Sequence, residues 1–293
     1  MTNASTCQLK HQTDETGIVT LRLSNPSRSM LVLDTWLIDQ IHAFIEWLKT
    51  QPTPTGFILA SDDPRVFLAG ADLAEIARQD DAALHAYLTS GAHAFARITT
   101  LPFPSVACVH GAALGGGLEI ALHCDGLVGR LPAAGARPWR VGLPEASLGL
   151  CPGWGGTQML PARIDPAEAI RATAAGSTWA IDEAPAGLFD ELVPPGGDLH
   201  AAAVRFIRSS PRAGASTVPE CIGPENRDEV AAGLSAVRSM LPDTAAARAV
   251  VEAVEIGLSE GWPAAISAER RLLVGLRHTP DARSRLAAFF SRG

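Results

Sequence analysis

The sequence predicts an α/β core followed by an all-helical end, and three observations carry that expectation. Up to about residue 195, short apolar or alternating runs take turns with segments of helical period, as in GIVTLRL (Gly17 to Leu23) and SVACV (Ser105 to Val109). Beyond the turn PPGGD the composition is helical only. Within the first of these regimes, at His110 to Asp125 (HGAALGGGLEIALHCD), a strand pattern passes into a helix through glycines. The 293 residues therefore divide into an α/β part, 1–195, and a helical part, 196–293.

Taken in order, Met1 to Asp14 is polar. GIVTLRL then sets Val19, Leu21 and Leu23 against Thr20 and Arg22, which reads as a half-buried strand. SNPSRS is a loop, and Asp34 is the expected N-cap of a helix to Lys49 with Leu37, Ile41, Phe44, Ile45 and Leu48 as its apolar stripe. GFILA is a short buried strand, and the loop at Asp62, Asp63 and Pro64 leads through FLAGADL to a helix from about Leu73. A further helix, Ala82 to Thr99, delivers the chain to SVACV. Helices are expected at Pro166 to Ala175, Asp182 to Gly187, Leu199 to Ile207, Arg227 to Met240, Ala245 to Ser259, Pro263 to Arg277 and Asp281 to Ser291. Ser209 to Pro224, rich in Ser, Pro and Gly, reads as a mobile connection.

Composition narrows the function. A net charge of −7 without any dense basic run argues against nucleic acid as a partner. No apolar run is long enough to span a bilayer, and Met1 to Asp14 lacks the charged start and apolar middle of an export signal, so the cytoplasm is the expected location. The five cysteines form no CxxC pair and are odd in number, so free thiols are expected, with Cys108, Cys124 and Cys151 filling core. The eight histidines show no ligand spacing, and no metal is expected. Lysine occurs only at Lys10 and Lys49, which leaves arginine and backbone amides to hold anions.

The glycine stretch suits one kind of chemistry. Residues without a Cβ let a ligand approach the backbone, and a helix start offers unpaired N–H groups at the positive end of its dipole, a seat for a developing oxyanion. Glu119 follows Gly116 by three residues, which puts its side chain on nearly the same face as that amide.

FLAGADL (Phe67 to Leu73), GGGLE (Gly115 to Glu119) and GLPEASLGLCPGWGGTQMLP (Gly142 to Pro161) stand in the order and approximate spacing of the crotonase family, the enoyl-CoA hydratases and isomerases. The chain resembles that family from about Ile18 to Pro194 and again from about Ala245 onward. The resemblance implies a spiral of repeated ββα units with a C-terminal helical region that assembles trimers, often paired into hexamers, and caps the active site. It implies backbone donors to a thioester oxygen at Ala71 and Gly116, and catalytic glutamates at Glu119 and Glu145. By that analogy Glu119 activates water and Glu145 supplies the proton to carbon. Ala69, Gly70, Asp72, Leu73, Gly115 and Leu143 are expected around the substrate, and Arg28 of SNPSRS near a CoA phosphate. Trp154 of PGWGGT either walls the acyl channel or packs. Two positions depart from the pattern: Ala74 stands where many relatives have lysine, and RSMLVLD lacks the asparagine often found there. The segment Arg130 to Arg140 (RLPAAGARPWR) is longer than usual and is expected to reshape the acyl pocket.

Both glutamates together favour a hydratase acting on a 2-enoyl-CoA, with CoA as part of the substrate and no separate cofactor. The rival readings are an isomerase or another crotonase-type lyase or hydrolase using one glutamate, and a non-catalytic acyl-CoA-binding or scaffold protein. No GxGxxG follows a strand, so a dehydrogenase domain is not expected within the chain. A separate 3-hydroxyacyl-CoA dehydrogenase is a possible partner because GLPE and PGWGGT resemble the versions in multifunctional β-oxidation proteins.

Overall fold

The computed structural model describes residues 7–52, 54–210 and 218–291. Strands β1 (Lys10–Thr13) and β2 (Ile18–Leu23) lead to helix α1 (Thr35–Lys49). Then follow β3 (Gly56–Ser61), β4 (Val66–Leu68), α2 (Leu73–Arg78), α3 (Asp81–Thr99), β5 (Ser105–Val109), β6 (Ala112–Leu114), α4 (Gly116–Leu122), β7 (Gly126–Arg130) and β8 (Arg140–Gly142). A 3-10 turn over Glu145–Leu148 precedes α5 (Gly156–Arg163), α6 (Pro166–Ala175), β9 (Thr178–Ala180) and β10 (Glu191–Val193). Helices α7 (Leu199–Ser209), α8 (Arg227–Val237), α9 (Ala245–Glu260), α10 (Trp262–Leu276) and α11 (Pro280–Phe290) complete the chain.

The strands form two sheets, one ordered β1-β2-β3-β5-β7-β10 and a smaller one ordered β4-β6-β8-β9. Successive strand pairs, β3 with β4, β5 with β6 and β7 with β8, each send one strand to the large sheet and the next to the small one before a helical segment. This is the spiral of ββα units. Strands β4, β6 and β8 run parallel in the small sheet, so their C-terminal ends lie side by side.

The central strands of the large sheet, β2, β3, β5 and β7, are buried on both faces, which explains their nearly continuous apolar sequences. On β3, Phe57 and Leu59 face the main core, while Ile58 and Ala60 join Val106, Cys108 and Val128 beneath Ala202, Ala203 and Ile207 of α7. The half-buried reading of β2 is therefore corrected, since Thr20 is also buried. Helix α1 keeps its expected cap and stripe: Asp34 accepts from the Leu37 amide at 2.9 Å, and Leu37, Ile41, Phe44, Ile45 and Leu48 are buried.

Of the helices beyond Val193, α9, α10 and α11 join the main core, while Val230, Leu234 and Val237 of α8 cluster with Val254 of α9 and Ile170 of α6. Val250 of α9, Leu273 and Leu276 of α10 and Leu286 of α11 belong to the same cluster as Phe44 and Leu118. Buried Arg277 reaches back to the carbonyls of Ile76 at 2.8 Å and Gln79 at 2.6 Å, tying α10 to the end of α2.

Other expectations need correction. Asp182 to Gly187 is not a helix; only a 3-10 turn over Ile181–Glu183 forms, and the chain continues as loop. Pro185 explains the stop, since it disfavours helical backbone in the residue before it. Strand β1 lies inside the stretch read only as polar, held by antiparallel pairing to β2. Of the connection read at Ser209 to Pro224, residues 211–217 lie outside the described residues. All five cysteines are thiols, and Cys108, Cys124 and Cys151 are buried.

Candidate active site

The parallel ends of β4, β6 and β8 bring together segments far apart in sequence. The loop after β4 carries Gly70 and Ala71, β6 runs into Gly115 and Gly116, and β8 leads to Glu145. The amide of Gly115 donates to the Gly142 carbonyl at 2.9 Å, locking the second and third of these ends together. Gly70, at φ +100°, turns the first end toward them: a Cβ there would lie 3.0 Å from the Leu114 carbonyl oxygen and 3.9 Å from the Gly116 nitrogen.

The amides of Ala71 and Gly116 are left free by this arrangement. Around Ala71, the Leu33 amide donates to the Gly70 carbonyl at 2.8 Å and the Asp72 amide to the Leu33 carbonyl at 2.9 Å, which skips the Ala71 N–H. The buried Tyr87 hydroxyl also donates to the Leu33 carbonyl, at 2.5 Å, and steadies that segment. Gly116 is the first residue of α4, where an N–H has no partner within the helix. Among the described residues neither amide has a protein acceptor. Both residues line one cavity of about 500 Å³.

Each glycine of GGG admits a different neighbour. At Gly115, φ +52°, a Cβ would stand 2.3 Å from Glu145 Oε1. One on Gly116 would strike the Trp154 ring at 2.4 Å, and one on Gly117 would meet the Leu68 carbonyl oxygen at 2.1 Å. The stretch is thus a close-packed junction of α4 with β4, Trp154 and Glu145.

Glu119 and Glu145 line the same cavity. Glu119 is 1% exposed, and its Oε1 accepts from the amides of Trp154 at 2.8 Å and Gly156 at 2.9 Å. Burial, then the negative charges of Glu269 and Glu145, raise its proton affinity well above the usual carboxylate range, with the two amides opposing. Glu145 opens the 3-10 turn, and its buried Oε2 has no hydrogen-bond partner. Burial pushes Glu145 up to about 8, opposed by its own backbone N–H and reinforced by Glu269. Two carboxyls that resist joint ionisation therefore flank the free amides.

The other expected residues divide. Ala69, Gly70, Asp72, Leu73, Gly115 and Trp154 line the cavity. Leu143 does not; it is 1% exposed and lies behind the cavity, where a Cβ on Gly156 would approach its Cδ1 to 2.8 Å. Trp154 both lines and packs: its ring is 2% exposed, its Nε1 donates to the Leu88 carbonyl at 2.8 Å, and it meets Tyr87 and Phe95 edge-on. Arg28 is at the cavity, with its guanidinium bonded to Asp34 Oδ2 at 3.2 Å and Asp72 Oδ2 at 2.5 Å. Those aspartates cap α1 and α2, so Arg28 clamps two helix starts at the cavity wall. Arg130 to Arg140 contributes nothing to the cavity lining, contrary to expectation. Its Trp139 instead donates to the Arg130 carbonyl at 3.1 Å and stacks edge-on against Phe189.

Sequence reasoning missed the apolar wall and one acid. Met30, Leu148, Leu150, Leu273, Phe289 and Phe290 line the cavity, the last two from α11. Glu269 of α10, completely buried, accepts from Gly155 and Thr157 in the loop that holds Glu119. The available signal was the helical spacing of Trp262, Ile266, Glu269 and Leu273, which puts an acid on an otherwise apolar face.

A ββα spiral with free amides and buried carboxyls at adjoining strand ends defines an enzyme of the crotonase superfamily. The chain belongs to the enoyl-CoA hydratase/isomerase family, whose family model matches residues 13–220. Among solved structures it is similar to an enoyl-CoA hydratase from Bacillus anthracis, with 24% identity, 97% of this chain and 96% of that chain covered, and a TM-score of 0.61. An enoyl-CoA hydratase from Mycobacterium avium subsp. paratuberculosis is 20% identical, with 98% and 97% covered and a TM-score of 0.65. The human mitochondrial delta3-delta2-enoyl-CoA isomerase is 20% identical, with 97% of both chains covered and a TM-score of 0.69. At these identities the likeness establishes the fold.

Proposed function

We propose that the protein is an enoyl-CoA hydratase, adding water syn to a 2-enoyl-CoA thioester to give the 3-hydroxyacyl-CoA. The observation that carries this reading is that Glu119 and Glu145 line one cavity with the free amides of Ala71 and Gly116. Attack at Cβ drives charge onto the thioester oxygen, and two fixed N–H donors aimed there stabilise the enolate more than the ground state. Glu119, taken as the ionised member of the pair while Glu145 holds its proton, and with its Oε1 pinned by two amides, takes a proton from water as the water oxygen bonds to Cβ. Glu145, protonated below about 8, delivers a proton to Cα. The C=C π bond and one O–H bond of water break, one C–O and one C–H bond form, and the proton gained by Glu119 returns to Glu145 when the enzyme resets.

Met30, Phe289 and Phe290 add apolar lining to the cavity, suited to an apolar acyl group. Arg28, at the same cavity, is assigned to the CoA phosphates. CoA arrives as part of the substrate, and the reaction needs no resident cofactor. The same reading takes the protein as a cytoplasmic homotrimer or hexamer that passes its product to a separate 3-hydroxyacyl-CoA dehydrogenase. No described helix is long and apolar enough to cross a membrane.

The test is a spectroscopic screen of short, medium, long and aromatic 2-enoyl-CoA thioesters with product identification. Loss of the conjugated enoyl absorbance with formation of 3-hydroxyacyl-CoA supports hydration. Double-bond migration without hydration would replace it by the one-glutamate isomerase.

A further inference from the structure

The loop that enters α5 presents four consecutive amides, and two carboxylates divide them alternately. Glu119 accepts from Trp154 and Gly156 at 2.8 and 2.9 Å, whereas Glu269 accepts from Gly155 at 2.6 Å and Thr157 at 3.0 Å. The Thr157 hydroxyl adds a third bond to Glu269, at 2.5 Å. Glu269 reaches this position because one face of α10 lies on the loop. A Cβ on Gly155 would stand 2.5 Å from Trp262 and 3.1 Å from Ile266, and one on Gly153 would stand 3.1 Å from Leu273.

From this interleaving we infer that Glu269 is a positioning residue for the proton transfer: it fixes the amide ladder on which Glu119 rests and sets the charge facing Glu119 and Glu145. This rests on the proposed reaction only for the role given to those two acids. Glu269 lines no part of the cavity and acts through the loop. A helix start carries the equivalent of roughly half a unit of positive charge, and here two buried carboxyls meet the same one. Burial raises Glu269, while the Thr157 hydroxyl, the amides of Gly155 and Thr157, and the charge of Arg270 on the same helix hold it down. The groups facing it are Glu119 on α4, Glu145 on the 3-10 turn and the Cys151 thiol, which burial and Glu269 raise far out of the working range. On α9, Glu252 is paired with Arg271 at 2.8 Å.

The sign follows from the charges. A negative Glu269 disfavours ionisation of Glu119 and Glu145, so neutralising it must lower the proton affinity of both.

The test compares the pH profiles of kcat and kcat/KM for the parent, Glu269→Gln and Thr157→Val. Glu269→Gln is expected to lower kcat about tenfold or more with KM within about twofold, and to move both limbs toward acid by about one unit. Thr157→Val, which removes one donor but keeps Glu269, is expected to move them the same way by less. The same shift is read without turnover from the pH midpoint of the protonated carboxyl band in infrared difference spectra. An unmoved profile and midpoint in Glu269→Gln overturns the inference. If that variant does not fold, unmoved values in Thr157→Val do so. The parent's product decides the hydratase reading separately, because Glu269 is judged on the shift between variant and parent.

Discussion

Gly115 and Glu145 approach more closely than any side chain at position 115 would allow, with the site of a Cβ only 2.3 Å from Glu145 Oε1. The strand end that carries Gly115 and the proposed proton donor are therefore fitted to each other through the absence of one carbon. Gly115→Ala is expected to displace Glu145 and to strain a backbone held at φ +52°. Activity should fall by about 10²-fold, the size of a lost general acid, and stability by about 1–3 kcal/mol. Steady-state kinetics and thermal melting check it; an alanine variant with parental kcat would separate Glu145 from the chemistry.

A second expectation concerns pH. Burial holds Glu145 up to about 8 from an ordinary 4.5, so its proton is available below about 8 and is lost above it. Activity should decline as the pH rises through that value. The linkage has the same sign: the folded state binds the proton more tightly than the unfolded chain, so stability falls as the pH rises from about 4.5 through about 8. Glu145→Gln should flatten that slope, which melting curves at pH 5 and 9 would reveal. A parallel fall in both proteins would contradict it.

A third expectation follows from Arg28. Its bonds to Asp34 and Asp72 join the caps of α1 and α2 beside the cavity, and its side chain is 38% exposed. Arg28→Ala is expected to raise KM for the thioester with little change in kcat, and to cost on the order of 1 kcal/mol after solvent screening. Lowered stability with an unchanged KM would leave Arg28 as a clamp alone.

What was legible in the sequence was what local pattern controls. Asp34 before an apolar stripe foretold α1, and GGGLE after a strand foretold the turn that exposes the Gly116 amide. Strand β6 was hidden because three residues between glycines show no period. Glu269 was hidden because AERRLL reads as a solvated helix face until α10 is laid on the loop before α5. The cavity wall at Phe289 and Phe290 depends on how α11 returns across the core, which no local spacing records.

Assembly gives a fourth expectation. Light scattering at micromolar concentration should return a trimer or hexamer, as the proposed reading requires; a monomer would contradict that part of it.

The most direct test of the two-acid account is hydration kinetics of Glu119→Gln, Glu145→Gln and the double variant, with folding checked by circular dichroism and thioester affinity by calorimetry. Each single variant is expected to lose about 10²-fold or more in kcat, the size of a general acid–base contribution. The double variant should lose less than the product, because groups that act as a unit are non-additive. Affinity should persist in all three, since the amides of Ala71 and Gly116 are untouched. Full hydratase activity in Glu145→Gln would contradict the account.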